Sequence, residues 1–147
     1  MCPFIFLLLS VSYAMIKVAV GIIFQQQSVL LCQRKPTARY ALKWEFHGGK
    51  LEQNESPEEC LRRELHEELG ISAAIGGLFH QQHYLYKDSG SFDVLYFLVR
   101  DFTGELINNV FASVTWVPLS EISSYDILEG NHEVVRKLVE QYAEARS

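Results

Sequence analysis

The chain has 147 residues, a length that suits one domain with a core of its own. Its 48% apolar, 21% charged and 12% aromatic residues exclude disorder, collagen and a bundle of membrane spans. Thirteen Lys and Arg against eighteen Asp and Glu leave a net charge of −5, which argues against a stable nucleic-acid complex held by a basic face but not against a phosphorylated small molecule neutralised by a metal ion.

Residues 3–9 read PFIFLLL and are followed by SVSYA. The run is far short of the roughly 20 residues of a membrane span. No Lys or Arg precedes it, so a secretory signal would lack its positive flank. Residues 1–14 therefore read as an upstream extension rather than a signal peptide, and the domain is expected over 15–147. Cys2, Cys32 and Cys60 are odd in number and show no CxxC spacing. They suggest neither a disulfide framework nor a zinc site, and they fit a reducing compartment such as the cytoplasm.

Residues 16–24 are apolar and β-branched and predict a buried strand. A polar turn over Gln25–Ser28 leads to a second strand over Val29–Gln33, and Pro36 marks a loop over Arg34–Arg39. Lys43–Phe46 alternates, with Trp44 and Phe46 on one side, and Gly48-Gly49 is expected to break that strand. Ser56-Pro57-Glu58-Glu59 predicts a helix start: Ser as N-cap, Pro in the first turn and Glu59 closing a capping box. Leu61, Leu65 and Leu69 supply one apolar stripe, and Gly70 is the expected C-terminal cap. Leu78–Tyr86 and Phe92–Arg100 predict a hairpin about Lys87–Ser91, and Val114–Pro118 a further strand. Val135, Leu138, Val139 and Tyr142 share a face, so a helix is expected over about 131–144. The pattern implies an α/β (α+β) fold, with a mixed β-sheet and helices on its faces.

Glu64, Glu67 and Glu68 stand at i, i+3 and i+4, which places three carboxylates on one helix face. They repel one another, and in the C-terminal half of the helix the dipole adds to the cost. Two readings follow. A solvated acidic face is one, and a site for hard divalent cations, Mg²⁺ with Mn²⁺ as a substitute, is the other.

The surrounding stretch is GGKLEQNESPEECLRRELHEELGI. Gly49, Glu55, Arg63, Glu64, Glu67, Glu68 and Gly70 meet every fixed letter of the pattern G-x5-E-x7-R-E-U-x-E-E-x-G-U, and Leu65 and Ile71 meet its apolar positions. With each letter occurring about once in fifteen, seven letters at fixed spacing arise by chance on the order of once in 10⁸. The stretch resembles the signature of the Nudix hydrolases. That resemblance implies an α/β/α sandwich and hydrolysis of a nucleoside diphosphate linked to another group. It implies metal ligation by Glu64, Glu67, Glu68 and the Gly48 carbonyl. Arg63 can pair with a carboxylate one turn away and hold it.

Over residues 15–145 the chain is similar to the MutT branch of that family. Trp44-Glu45-Phe46-His47-Gly48-Gly49-Lys50 resembles the sequence before its signature. The resemblance implies substrate contacts at Arg34, Arg39, Glu45, Phe46, His47, Gly48 and Lys50. Lys50 is read as a phosphate contact or a solvent-facing side chain. Gly130-Asn131-His132-Glu133 resembles the start of the branch's last helix. There Asn131 either reads a purine edge, since an amide donates and accepts, or simply caps the helix. His66 is expected to be exposed. Phe79, Tyr84 and Tyr86 are candidates for base stacking or for the core.

The chain departs from the branch at two places. His47 stands where proline is usual, which is expected to loosen the loop and add a titratable group near the phosphates. Val110 stands where a further glutamate is often found, and Glu105 has no evident place in the site. The implied activity is Mg²⁺-dependent release of pyrophosphate from a nucleoside triphosphate, with an oxidised purine such as 8-oxo-dGTP favoured. CTP is the runner-up, and Tyr86, sixteen residues after Gly70, hints at a dinucleoside polyphosphate. A non-catalytic nucleotide-binding Nudix module is the reading from another class.

Overall fold

In the computed structural model, residues 15–87 and 90–143 are described. Residues 1–14, two residues of the expected hairpin turn, Asp88 and Ser89, and position 144 of the last expected helix lie outside them.

Strand β1 (Ile16–Gln25) organises the molecule. Side chains alternate across a strand, so Val20, Ile22 and Phe24 enter one apolar layer and Ala19 and Ile23 the other. Both faces are covered, which is why the segment is apolar throughout rather than alternating. β1 pairs in parallel with β7 (Gly90–Val99), from Ile16 opposite Phe92 to Ile23 opposite Val99. β6 (Leu78–Tyr86) pairs antiparallel on the far side of β7. The other edge of β1 divides. Val18–Gly21 pairs antiparallel with β4 (His47–Lys50), and Phe24–Gln25 with β2 (Ser28–Gln33). β2 carries the two-residue β3 (Trp44–Glu45) and β9 (Ser113–Pro118). The result is the expected mixed sheet. β5 (Ser72–Ala74) and β8 (Asp101–Thr103) form a separate small ribbon that the sequence reading did not foresee.

Gly48 and Gly49 do not form a break; they are two of the four residues of β4. Gly48 lies opposite Val20 and Gly49 opposite Ala19. Ladder pairing with β1 offsets the entropy glycine loses in a strand.

Helix α1 (Pro57–Leu69) begins as the sequence predicts. Ser56 Oγ accepts the Glu59 N–H at 3.1 Å, and Glu59 Oε2 accepts the Ser56 N–H at 3.0 Å. Gly70 ends the helix with φ 69°. Leu61, Leu65 and Leu69 are 0% exposed against one face of the sheet, each burial worth about 1.5–3 kcal/mol. Helix α2 (His132–Tyr142) places Val134, Val135 and Leu138 in the opposite layer, beside Val20, Ile22 and Leu31. Helices thus cover both faces, an α/β/α sandwich. Among the described residues no helix is long and apolar enough to cross a membrane.

Candidate active site

The site forms where α1 meets β4. Gly49 lies directly beneath Glu64: a Cβ built on Gly49 would stand 2.6 Å from Glu64 Oε1. Arg63 fixes the carboxylate from the other side. Its Nη1 donates to Glu64 Oε1 at 2.8 Å, while Nε and Nη2 grip both oxygens of Glu55 at 2.7 and 2.9 Å. The partner expected one turn away, Glu67, is further off at 3.5 Å. Glu55 is therefore the principal partner of Arg63, a role its place in the motif did not reveal. Forked pairing of this kind is stronger than a single ionic contact. It holds the Glu55 carboxyl down at about 2 and pushes the Arg63 guanidinium above its ordinary range.

A pH dependence of stability follows. The Glu55 value is depressed in the folded chain, so its contribution is complete above the unfolded carboxylate value near 4.3. Thermal denaturation should show the midpoint falling as pH drops from about 4.5 toward 2, and Glu55→Gln should flatten that part of the profile.

Glu64 and Glu68 converge with His47 into a group whose ligand atoms lie within 4.8 Å of one another. Burial and the neighbouring Glu64 and Glu67 push the Glu68 carboxyl up to about 7. Two carboxylates this close are better offset by a bound cation than by water alone, and the hard oxygen donors fit a divalent ion such as Mg²⁺. Glu67 stands outside the group with its side chain 55% exposed. His66 is exposed, as expected.

His47 does not loosen the loop, because in β4 it pairs with Gly21, and it does not line the cleft described below. It is 3% exposed and absent from the cleft lining; its imidazole lies on the α1 side, with Nε2 3.3 Å from the Glu64 carbonyl and 3.2 Å from Glu68 Oε2. Burial pushes its pKa down to about 4, and the hydrogen bond of Nε2 goes to the Glu64 carbonyl, with Glu68 Oε2 beside it. Val110 is exposed, in a loop that seats on the end of α1 through Asn109 Nδ2, 3.3 Å from the Glu67 carbonyl.

A cleft of about 350 Å³ opens on the opposite face of β4. It gathers Arg34, Arg39, Glu45, Phe46, Gly48, Lys50 and Asn131, which are all the expected substrate contacts except His47. Val18, Val20, Val94 and Phe92 add an apolar floor, and Tyr40 and Tyr86 add aromatic rings 5.2 Å apart. Arg34 is tied down, its Nη1 3.1 and 3.3 Å from the two Glu45 oxygens and its Nε 2.6 Å from the Arg39 carbonyl. Burial raises the Glu45 pKa, and Arg34 opposes the rise. Lys50 is exposed at the cleft edge.

Asn131 is not an ordinary cap, because its side chain makes no capping bond to α2. It is 7% exposed, accepts the Phe46 N–H at 3.2 Å and donates to the Tyr96 hydroxyl at 3.0 Å. Of the three aromatic candidates, Tyr86 reaches the cleft. Phe79 packs on the α2 layer beside Tyr142, and Tyr84 packs on Tyr86.

The NUDIX domain pattern matches residues 15–139. The chain belongs to the Nudix family. It is 32% identical to the 8-oxo-dGTP diphosphatase of Escherichia coli K12 over 84% of this chain and 95% of that one. It is 37% identical to the CTP pyrophosphohydrolase of the same organism, over 77% and 83%. The solution structure of the E. coli ORF135 protein superposes with a TM-score of 0.76 at 29% identity, covering 90% of this chain and 95% of that chain. A MutT structure from work on Aliivibrio salmonicida and Vibrio cholerae gives 0.74 at 29%, over 86% and 98%. The molecule is thus a MutT-like Nudix hydrolase, and Nudix enzymes generally use a divalent metal.

Proposed function

We propose that this Nudix hydrolase is a Mg²⁺-dependent nucleoside triphosphate pyrophosphohydrolase that favours an oxidised purine such as 8-oxo-dGTP. The observation that carries the reading is the meeting of two unlike environments across β4. One is an apolar, aromatic cleft ending at a buried amide, and the other is a fixed carboxylate group. A base suits the first, and a phosphate chain held near a cation suits the second.

Glu64 and Glu68, with Glu67 and the Gly48 carbonyl, would hold Mg²⁺. When bound, the ion supplies charge neutralisation for the phosphate oxygens and a lowered pKa for water. Arg63 keeps Glu64 in one orientation, so no reorganisation is needed at reaction. Lys50 reaches phosphate oxygens from the cleft edge. Water attacks phosphorus, one P–O–P bond breaks, and the products are a nucleoside monophosphate and pyrophosphate with net release of a proton.

Asn131 reads the base. Its two existing bonds leave one amide N–H and one carbonyl lone pair, a donor and an acceptor for O6 and protonated N7 of 8-oxoguanine. Asn131→Asp keeps an oxygen for the Phe46 N–H and loses the donor. It should raise KM for 8-oxo-dGTP about tenfold or more, with a smaller change for CTP. An equal change for both would remove Asn131 as the reader.

The deciding experiment is pyrophosphate release with Mg²⁺ from 8-oxo-dGTP, dGTP, CTP, dCTP, a dinucleoside polyphosphate and ADP-ribose. A preference for 8-oxo-dGTP over dGTP supports the reading. A preference for CTP replaces the oxidised purine with a pyrimidine. Tight binding without release from any of them makes the chain a nucleotide-binding module.

A further inference from the structure

We infer that Tyr96 is a positioning residue whose hydroxyl fixes the direction of the Asn131 amide and so sets which purine edge the cleft accepts. This rests on the base-reading role of Asn131 proposed above.

A carboxamide offers an acceptor on one side and a donor on the other, and a half-turn about Cβ–Cγ exchanges them. At Asn131 the direction follows from the partners. The Phe46 N–H can only donate, and it holds Oδ1 at 3.2 Å. Asn131 Nδ2 then donates to the Tyr96 hydroxyl oxygen at 3.0 Å. A hydroxyl can also donate, which would suit the reversed amide, but the hydrogen of this one goes to the Gly130 carbonyl at 3.3 Å. Burial pushes the Tyr96 phenol up, so that hydrogen stays in place. Reversal would set the amide N–H groups against the Phe46 N–H and leave a buried donor unmet.

The frame around the amide is rigid. Tyr96 stands in β7 between Val20 of β1 and His80 of β6, and it is 1% exposed. Gln82 Nε2 donates to the same Gly130 carbonyl at 2.8 Å. A Cβ on Gly130 would overlap the Tyr86 hydroxyl, so this backbone lies tight against β6. Tyr96 does not line the cleft, whereas Asn131 does, so it acts on a base only through the amide.

The fixed direction carries a selectivity. Asn131 offers its N–H to O6 and its Oδ1 to protonated N7 of 8-oxoguanine. Adenine presents the reverse order, a donor at N6 and an acceptor at N7. A reversed amide would suit adenine, and Tyr96 opposes that reversal.

The test is calorimetric binding of 8-oxo-dGMP and dAMP to wild type, Tyr96→Phe, Asn131→Ala and the double variant, with folding checked by circular dichroism. Wild type should prefer 8-oxo-dGMP. Tyr96→Phe should narrow the ratio of the two dissociation constants about threefold to tenfold. In the Asn131→Ala background, Tyr96→Phe should leave the ratio unchanged, since it acts through the amide.

An unchanged ratio in folded Tyr96→Phe, even with both ligands bound more weakly, makes Tyr96 a packing residue and overturns the inference. A ratio that Tyr96→Phe still shifts without Asn131 overturns it as well. Should Tyr96→Phe not fold, wild type carries the test by nuclear magnetic resonance. The Asn131 Nδ2 proton signals, identified by their loss in Asn131→Asp, should exchange with deuterium about tenfold or more slower than those of the exposed Asn54. Equal rates overturn the inference. Asn131→Ala that keeps the wild-type ratio removes the base reading and this inference together. Asn131→Ala that narrows the ratio while Tyr96→Phe does not removes this inference alone.

Discussion

Glu64→Gln should reduce Mg²⁺-dependent turnover by about 10²–10³-fold or more while the fold survives. Glu64 is the junction of the site. Its carboxylate receives Arg63 Nη1 at 2.8 Å, its side chain lies over Gly49, and its backbone carbonyl accepts His47. Gln preserves that volume but halves the acceptor capacity and removes the charge. The apo protein should lose no more than about 1 kcal/mol, since the repulsion between Glu64 and Glu68 is relieved. A ligand that binds only the folded state raises the melting temperature, so wild type should be stabilised by millimolar Mg²⁺ and Glu64→Gln should not be. Glu67→Gln should have a smaller effect on turnover, because Glu67 stands outside the close group. Scanning calorimetry with and without Mg²⁺, beside steady-state kinetics, reads both parts. Glu64→Gln turnover within a few-fold of wild type would sink the assignment of the metal site.

The parts of the molecule legible in the sequence are those set by short-range rules. α1 is the clearest case: the Ser56–Glu59 box, the leucine stripe and Gly70 each act within one or two turns. The convergence of Glu64 and Glu68 follows from the same helical spacing. Long-range pairing hid the rest. The neighbours that engage Asn131 are 85 and 35 residues away, so local pattern left capping and base reading equally open. The cleft floor combines Val18 and Val20 with Phe92 and Val94, which meet only because β1 and β7 run parallel in register. Alternation within each strand shows that these residues share faces, but not which strands become neighbours. The inward placement of His47 is hidden from the sequence for a related reason. Two glycines suggest an open loop, whereas pairing with β1 makes them a strand and turns the preceding side chain inward toward α1. Glu55 lies eight residues before Arg63 and outside the helix, so helical spacing could not identify it as the main partner.

The paired substitutions Gly48→Ala and Gly49→Ala should separate folding from catalysis. Both glycines lie in β4, yet an added methyl group meets different neighbours at each. At Gly48 it would overlap the Ala19 carbonyl oxygen and stand 2.8 Å from Val20 Cγ2. A backbone atom inside the β1 ladder cannot step aside without parting β4 from β1. Gly48→Ala should therefore cost at least about 3 kcal/mol and yield little folded protein. At Gly49 the methyl group would meet the end of the Glu64 side chain, with Oε1 2.6 Å away. That chain end can rotate, so the fold should persist at a cost of about 1–3 kcal/mol. The rotation pulls Glu64 out of line with Arg63 and Glu68. A displacement near 1 Å at a reacting site costs on the order of 10²-fold in rate, and Gly49→Ala should show a kcat loss of that size. Denaturant melts and kcat measured on the two variants provide the check. Near-normal turnover in a folded Gly49→Ala protein would mean that the Glu64 orientation seen against Gly49 is not the one used in catalysis. The Arg63–Glu64 contact would then belong to a resting arrangement of the helix face, and Glu68 would be the first carboxylate to test in its place.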